Sequence, residues 1–299
     1  MVFLAMRMLP GDVALRIAAS GGAAVTPERL AEVRAEWGLD QPLPVQFVTF
    51  LSNAAQGDLG ASSYNGEAVV DVIANRLPVT LQLSAFAIVF ALVIGVAAGS
   101  LAAYRRSRIE DHLVGSVGVL GISIPNFWFG LMLILVFAVQ LRWLPAAGFV
   151  PVWQDPVGGI RSMIMPTIMV GSGLAAVLMR QVRSSMIEQL SADYVRTARS
   201  KGLGTGRIIL RHALRNTYVT ITSVVGLQLG SLLSGAIVAE QLFVLPGLGK
   251  GLLDAVLARD YNVVQGIALV SIVAYVAISL TCDLLYYLFD PRLRRTARS

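Results

Sequence analysis

Five apolar blocks of membrane-spanning length constrain this chain more than any other feature. They cover residues 77–104, 113–141, 163–182, 216–239 and 263–289, each bounded by charge, proline or glycine. A helix needs roughly 20 consecutive apolar residues to cross the hydrocarbon core, so blocks of this length predict an all-α integral membrane protein. Composition agrees, with 56% hydrophobic and 14% charged residues. A soluble domain of this size would have too few polar groups to cover its surface.

Residues 1–9 are apolar but too short to cross, and Pro10-Gly11-Asp12 ends the run. There is no basic segment before it and no small-residue cleavage site after it, so it is not a signal peptide. It reads as a partial first transmembrane helix, giving five complete helices plus a partial one. Residues 10–76 have ordinary composition. Within them Thr26 and Pro27 open a short amphipathic helix over 27–36. Pro42 and Pro44 interrupt, 45–55 reads as a second short helix, and Gly57-Asp58-Leu59-Gly60 reads as a turn.

The net charge of +6 raises nucleic acid as a partner, but its distribution argues against that. Basic residues cluster in alternate linkers, as they do when lysine and arginine fix membrane topology. One set of linkers (105–108, 180–215 and 292–298) carries 15 of them, and the other, longer set carries 8. The first set is expected in the cytoplasm together with the C-terminal tail, 290–299. Residues 10–76 are then extracytoplasmic. The single cysteine, Cys282, allows no intrachain disulfide, and His112 and His212 lack ligand-spaced partners, so no metal site is expected.

The most informative linker, 183–215, joins the third and fourth blocks. It implies two short helices. In the first, Tyr194, Val195 and Ala198 form an apolar face, with Asp193 near the positive end of the helix dipole. Gly202, Gly204 and Gly206 permit a tight turn. In the second, Thr205 is a candidate cap, and Arg207, Arg211 and Arg215 recur every four residues. An apolar face on a polar linker suggests that something docks there. Periodicity alone favours the plainer alternative, a helix pair on the membrane surface whose arginines meet anionic headgroups.

The residues themselves are more specific. Tyr194-Val-Arg-Thr-Ala-Arg-Ser-Lys-Gly202 and His212-Ala-Leu-Arg-Asn216 resemble the EAA loop of ABC-importer permeases, in the dipeptide/oligopeptide/nickel branch. Leu77-Pro-Val-Thr-Leu81, Ser123-Ile-Pro-Asn-Phe-Trp128, Trp143-Leu-Pro-Ala146, Leu245-Pro-Gly-Leu-Gly249, Arg259-Asp-Tyr261 and Gln265-Gly266 follow in that family's order. The chain departs from the general loop in having Arg196-Thr197-Ala198 for Glu-Ala-Ala and His212-Ala-Leu-Arg215 at the later position, forms similar to the peptide branch. The resemblance implies a type I ABC importer permease bundle whose permease domain covers 77–289, in a bacterial inner membrane. It also implies a second permease subunit, two cytoplasmic ATPases that hold the ATP and magnesium, and an extracytoplasmic binding protein delivering peptides or a related solute. This chain would bind no cofactor and perform no catalysis. The loop would be the ATPase-coupling segment, at Asp193, Tyr194, Val195, Arg196, Thr197, Ala198, Arg199, Lys201, Gly202 and Leu203.

Leu245-Pro-Gly-Leu-Gly-Lys-Gly251 has glycines and a lysine like a phosphate loop, but Val244 stands at the first glycine position and Gly251 at the hydroxyl position. The resemblance makes Pro246, Gly247 and Gly249, with Arg259, Asp260 and Tyr261, a candidate outer gate. A plain glycine-rich turn is the alternative. Ser123, Asn126, Gln228, Ser231 and Ser234 are candidates for a translocation path, with Ser123, Pro125 and Asn126 at an expected kink. Gly95 with Gly99, and Gly226 with Gly230, read as close helix packing, the second pair also as a path lining. Asp283 is the one acid expected well within a block, paired with an arginine of the tail. A secondary transporter would need intramembrane acids or broken helices in related halves, and a membrane enzyme would need paired catalytic groups. Neither pattern is evident.

Overall fold

The computed structural model describes Ala14, Leu15, Ala18 and residues 26–36 and 38–289. The expected partial helix over 1–9, the Asp283 side chain and the tail 290–299 lie outside the described residues. Among the described residues the chain is helical, with an isolated bridge between Ala61 and Ala68 and no strand.

Helix α1, Pro27–Glu36, starts as expected, with the Thr26 hydroxyl accepting from the Arg29 N–H at 3.2 Å. Helix α2, Leu43–Ala55, begins two residues before its expected start because Pro44 sits in the first turn, where a missing N–H costs nothing. Helix α3, Val69–Tyr104, likewise starts eight residues before its apolar block, with Asp71 in the first turn. There the helix dipole favours a carboxylate.

The block at 113–141 is broken where a kink was expected, and the break is far sharper than a kink. Helix α4, Ile109–Ser123, and helix α5, Asn126–Leu133 with a π-helical continuation Ile134–Gln140, meet at a bend of 105°. Pro125 forces the break. It lacks an N–H and holds Ile124 extended, at φ −80° and ψ 126°.

Helix α6, Pro156–Ser191, is capped by Asp155, which accepts from the N–H groups of Val157 (3.1 Å) and Gly158 (3.0 Å). It runs nine residues past its apolar block. Helix α7 is Asp193–Ser200. Helix α8, Thr205–Leu242, corrects another expectation. The second short helix of the linker is not separate, since its residues pass through a π turn at Ile208–Ala213 straight into the membrane helix. Thr205 is its first helical residue, and Gly204 occupies the cap position without a side-chain bond. Helices α9, Leu248–Ala258, and α10, Tyr261–Phe289, complete the chain. Four of the described helices, α3, α6, α8 and α10, are long and apolar enough to cross a membrane, and the bent pair makes a fifth if counted as one span.

The described residues divide into two compact units, those up to 79 with 246–273, and 80–245 with those from 274 on. The first has a core of Val69, Ile73, Leu248, Ala255, Tyr261, Val263, Val264 and Ile267. The second is organised on α6, against which α4, α5 and α8 pack. Of the apolar window of α6, 72% is buried, against 33% for α8. So α6 is the core of this unit, and the other helices leave apolar faces outward. Gly95 and Gly99 lie against α6 as expected of close packing: a Cβ on Gly99 would stand 2.6 Å from the Met179 carbonyl oxygen.

Two buried polar contacts fix this unit. The bent pair is anchored at its start by Asp111, which is 6% exposed and accepts from Arg183 of α6 through Nε and, at 2.8 Å, a terminal guanidinium nitrogen. The Ser107 N–H also donates to it at 3.0 Å. Glu240, fully buried in α8, accepts from the Thr80 hydroxyl at 2.6 Å. The expectation for Asp283, an acid well within an apolar block, concerns a side chain outside the described residues; Glu240 is a further buried acid that it did not include. Glu240 stands one residue past the apolar block, and the helix carries it inside.

Candidate functional site

The path candidates separate into two groups. Asn126, Ser231 and Ser234 come together around a recess of about 560 Å³, with Gly230, Gly235, Leu227, Val238 and Tyr275. Helix α8 supplies 227, 230, 231, 234, 235 and 238, one face at helical spacing, and the bend places Asn126 opposite. Ser123 and Gln228 do not line this recess. The Ser123 hydroxyl instead donates to the Val119 carbonyl at 2.9 Å, within its own helix. Sequence reading missed Tyr275, Leu227, Gly235 and Val238. The glycine pair hinted at the face: nothing lies within 4 Å of a Cβ on Gly230, so this glycine opens space where Gly99 closes it. All eight lining residues are uncharged.

The linker candidates form a second, separate feature. Val195 and Ala198 of α7 are 1% and 7% exposed, and they pack with Ile208, Leu190 and Leu203. The apolar face that suggested docking is thus covered by the chain's own α6 and α8 ends. Tyr194 is exposed, and its hydroxyl donates to the Gln189 amide oxygen at 2.9 Å. The face left outward is polar: Asp193, Arg196, Thr197, Arg199, Ser200 and Lys201. Of the three turn glycines, Gly202 needs the residue type, at φ +78°. Gly204 is extended and Gly206 lies in α8.

The gate candidates lie in two places with unlike exposure. Gly247, Gly249, Asp260 and Tyr261 are buried, and Pro246 and Arg259 are exposed. Gly247 precedes α9, and Arg259 closes it in the left-handed region at φ 53°. Asp260 accepts from the Ser62 hydroxyl and from the Ser63 N–H at 3.2 Å, and it caps the first turn of α10 at Val263. This carboxylate ties the turn at 60–68 to α10, a structural role. Asp260→Ala strands these donors at about 1–3 kcal/mol each. A clearly lowered melting temperature in detergent is expected, with Asp260→Asn, which keeps an acceptor oxygen, in between.

Relatives fit this architecture. Residues 95–295 match the family model described as "Binding-protein-dependent transport system inner membrane component", and residues 1–84 match the N-terminal model of the same system. The chain is 42% identical over 294 residues to a provisionally named peptide transport system permease protein of Brucella abortus (strain 2308), covering 98% of this chain and 93% of the relative. It is also 42% identical to the glutathione transport system permease protein GsiC of Escherichia coli (strain K12), over 98% of this chain and 92% of that one. Among solved structures, the fold is similar to a chain of the MetNI methionine ABC transporter in inward-facing conformations. That match has a TM-score of 0.59 at 16% identity and covers 73% of this chain and 96% of the other. A multi-pass membrane bundle with this recess, matched over most of its length, belongs to the binding-protein-dependent transport system inner membrane component family and is a permease component of an ABC importer.

Proposed function

We propose that the chain is one of two permease subunits, pairing with a second, homologous one, and that the pair passes peptides delivered by an extracytoplasmic binding protein. Two partner ATPases bind the ATP and magnesium and hydrolyse the ATP, while this subunit supplies path walls and a coupling segment. The permease domain is 77–289 with a coupling loop at 183–215. It has five crossings, counting the bent pair as one. The tail is cytoplasmic, and Pro246, Gly247, Gly249 and Arg259 edge the outer entrance. The path runs along Asn126, Ser231 and Ser234.

The observation that carries this reading is the clamping of α7. Its apolar side is anchored on Leu190 and Ile208, so movement of a partner held on the outward face passes directly to α6 and α8. A rigid segment with one face anchored and the other polar suits the transmission of rigid-body motion. Among relatives, the names peptide and glutathione transport support a short peptide as the solute.

The test reconstitutes the whole transporter and reverses charge on the outward face, with Arg196→Glu and Lys201→Glu together. Both side chains are exposed, so folding is retained. Against an acidic docking surface the reversal brings like charges together, which costs several kcal/mol, and solute-stimulated ATP hydrolysis and uptake are expected to fall about tenfold or more. Full stimulation by the double variant would remove α7 from the coupling role.

A further inference from the structure

We propose that Asn126 divides the solute site into two compartments, so that the transported solute is an amphiphilic peptide: its backbone lies in the recess and an apolar side chain enters a second cavity behind Asn126. This rests on the peptide reading above. The second cavity, of about 320 Å³, lies among α3, α4, α5 and α6, and its walls include Ile94, Leu120, Phe129, Ser172 and Met179. Asn126 is the residue that lines both it and the 560 Å³ recess. Both volumes fall in the range of small-molecule sites.

The two compartments differ in chemistry. The recess side carries Ser231, Ser234 and Tyr275. The Ser234 hydroxyl donates to the Gly230 carbonyl at 3.1 Å, which leaves its oxygen to accept from a solute. Behind Asn126 the wall is almost wholly apolar. Its one hydroxyl, on Ser172, is engaged with the Met169 carbonyl of its own helix at 3.0 Å. Asn126 stands between them at the head of α5, directly after the proline that makes the bend. A Cβ on Gly235 would lie 3.8 Å from its amide nitrogen, which sets the amide beside this face of α8 at the recess. An asparagine amide offers one acceptor and two donors, the complement of a peptide unit. No charged side chain lines either cavity, so sorting by net charge has no local basis and side-chain size and polarity decide. Asn126, the one lining residue the two cavities share, is what favours a solute side chain over a lipid tail as the occupant.

The experiment uses the complete transporter, with its cognate permease, ATPases and binding protein, in cells without other peptide uptake. ATP-dependent uptake of glycylglycine and leucylleucine is compared. Ser172→Leu fills the second cavity and gives up only a hydroxyl bonded within its own helix. The leucylleucine to glycylglycine uptake ratio is expected to fall about tenfold, the scale on which an apolar pocket discriminates. The binding protein is the same in both arms, so its own preference cancels. An unchanged ratio overturns the proposal while leaving the permease reading intact. An equal loss for both peptides also overturns it, assigning the cavity to lipid or to packing. If Ser172→Leu does not reach the membrane, Ser172→Val makes the same comparison with a smaller expected shift. If the unaltered transporter takes up neither peptide, the peptide reading itself fails, and this proposal with it.

Discussion

Gly99→Leu is expected to destabilise the membrane-embedded protein markedly, whereas Gly230→Leu leaves its stability intact and blocks uptake. The residues and the change are the same; the surroundings are opposite. A Cβ on Gly99 would sit 2.6 Å from the Met179 carbonyl oxygen and 3.0 Å from the Val182 Cβ. Backbone cannot yield as a flexible side chain does, so α3 would have to leave α6. Overpacking of this kind costs about 3 kcal/mol or more, and without a hydrophobic drive between helices, close approach is much of what holds them. A melting temperature lower by about 10 °C in detergent, with reduced membrane levels, is the expected reading. Around Gly230 there is nothing within 4 Å, so leucine projects into the recess and obstructs it. A Gly99→Leu protein that melts with the parent would refute the packing account. Unimpaired uptake by Gly230→Leu would place the path elsewhere.

The second large effect concerns Asp111. Asp111→Ala leaves Arg183, about one third exposed, facing a site built for a carboxylate, and it also strands the Ser107 N–H. Removing one member of a fully buried pair costs about 3–5 kcal/mol. Solvent at Arg183 reduces that, so about 2–3 kcal/mol is expected, read as lost thermal stability. The informative companion is Asp111→Leu with Arg183→Met. Apolar replacement of both partners avoids the stranded charge, and most of the stability is expected to return. If the double variant is no better than Asp111→Ala alone, the pair's geometry matters beyond its charge, and the desolvation account fails.

Spans and the short helices α1, α2 and α7 were legible in the sequence because their causes are local: apolar runs, proline at first turns and a threonine cap. The break at Ile124–Pro125 was legible as a kink but not as a 105° turn, since the angle depends on what α4 and α5 pack against. Tertiary facts stayed hidden. Val195 and Ala198 showed an apolar face, yet the sequence does not say that Ile208 covers it. Glu240 was overlooked because an apolar block ends one residue earlier, while hydrogen bonding carries the helix on to Leu242. Ser231 and Ser234 were found by polarity on an apolar helix. Tyr275 was missed because its helix reaches the recess only through the fold, and the capping bonds of Asp260 stayed hidden because a motif residue and a capping residue look alike in one dimension.

The length of α6 has a mechanical consequence. Its 36 residues make a rod of about 54 Å, against a hydrocarbon core of about 30 Å. Only Ala192 separates that rod from α7, and Leu190 packs beneath Val195 and Ala198. The rod is therefore a lever. A tilt of about 10° about its midpoint would carry the α7 end through about 5 Å, given the helical rise per residue, with no loop in the train to absorb the stroke.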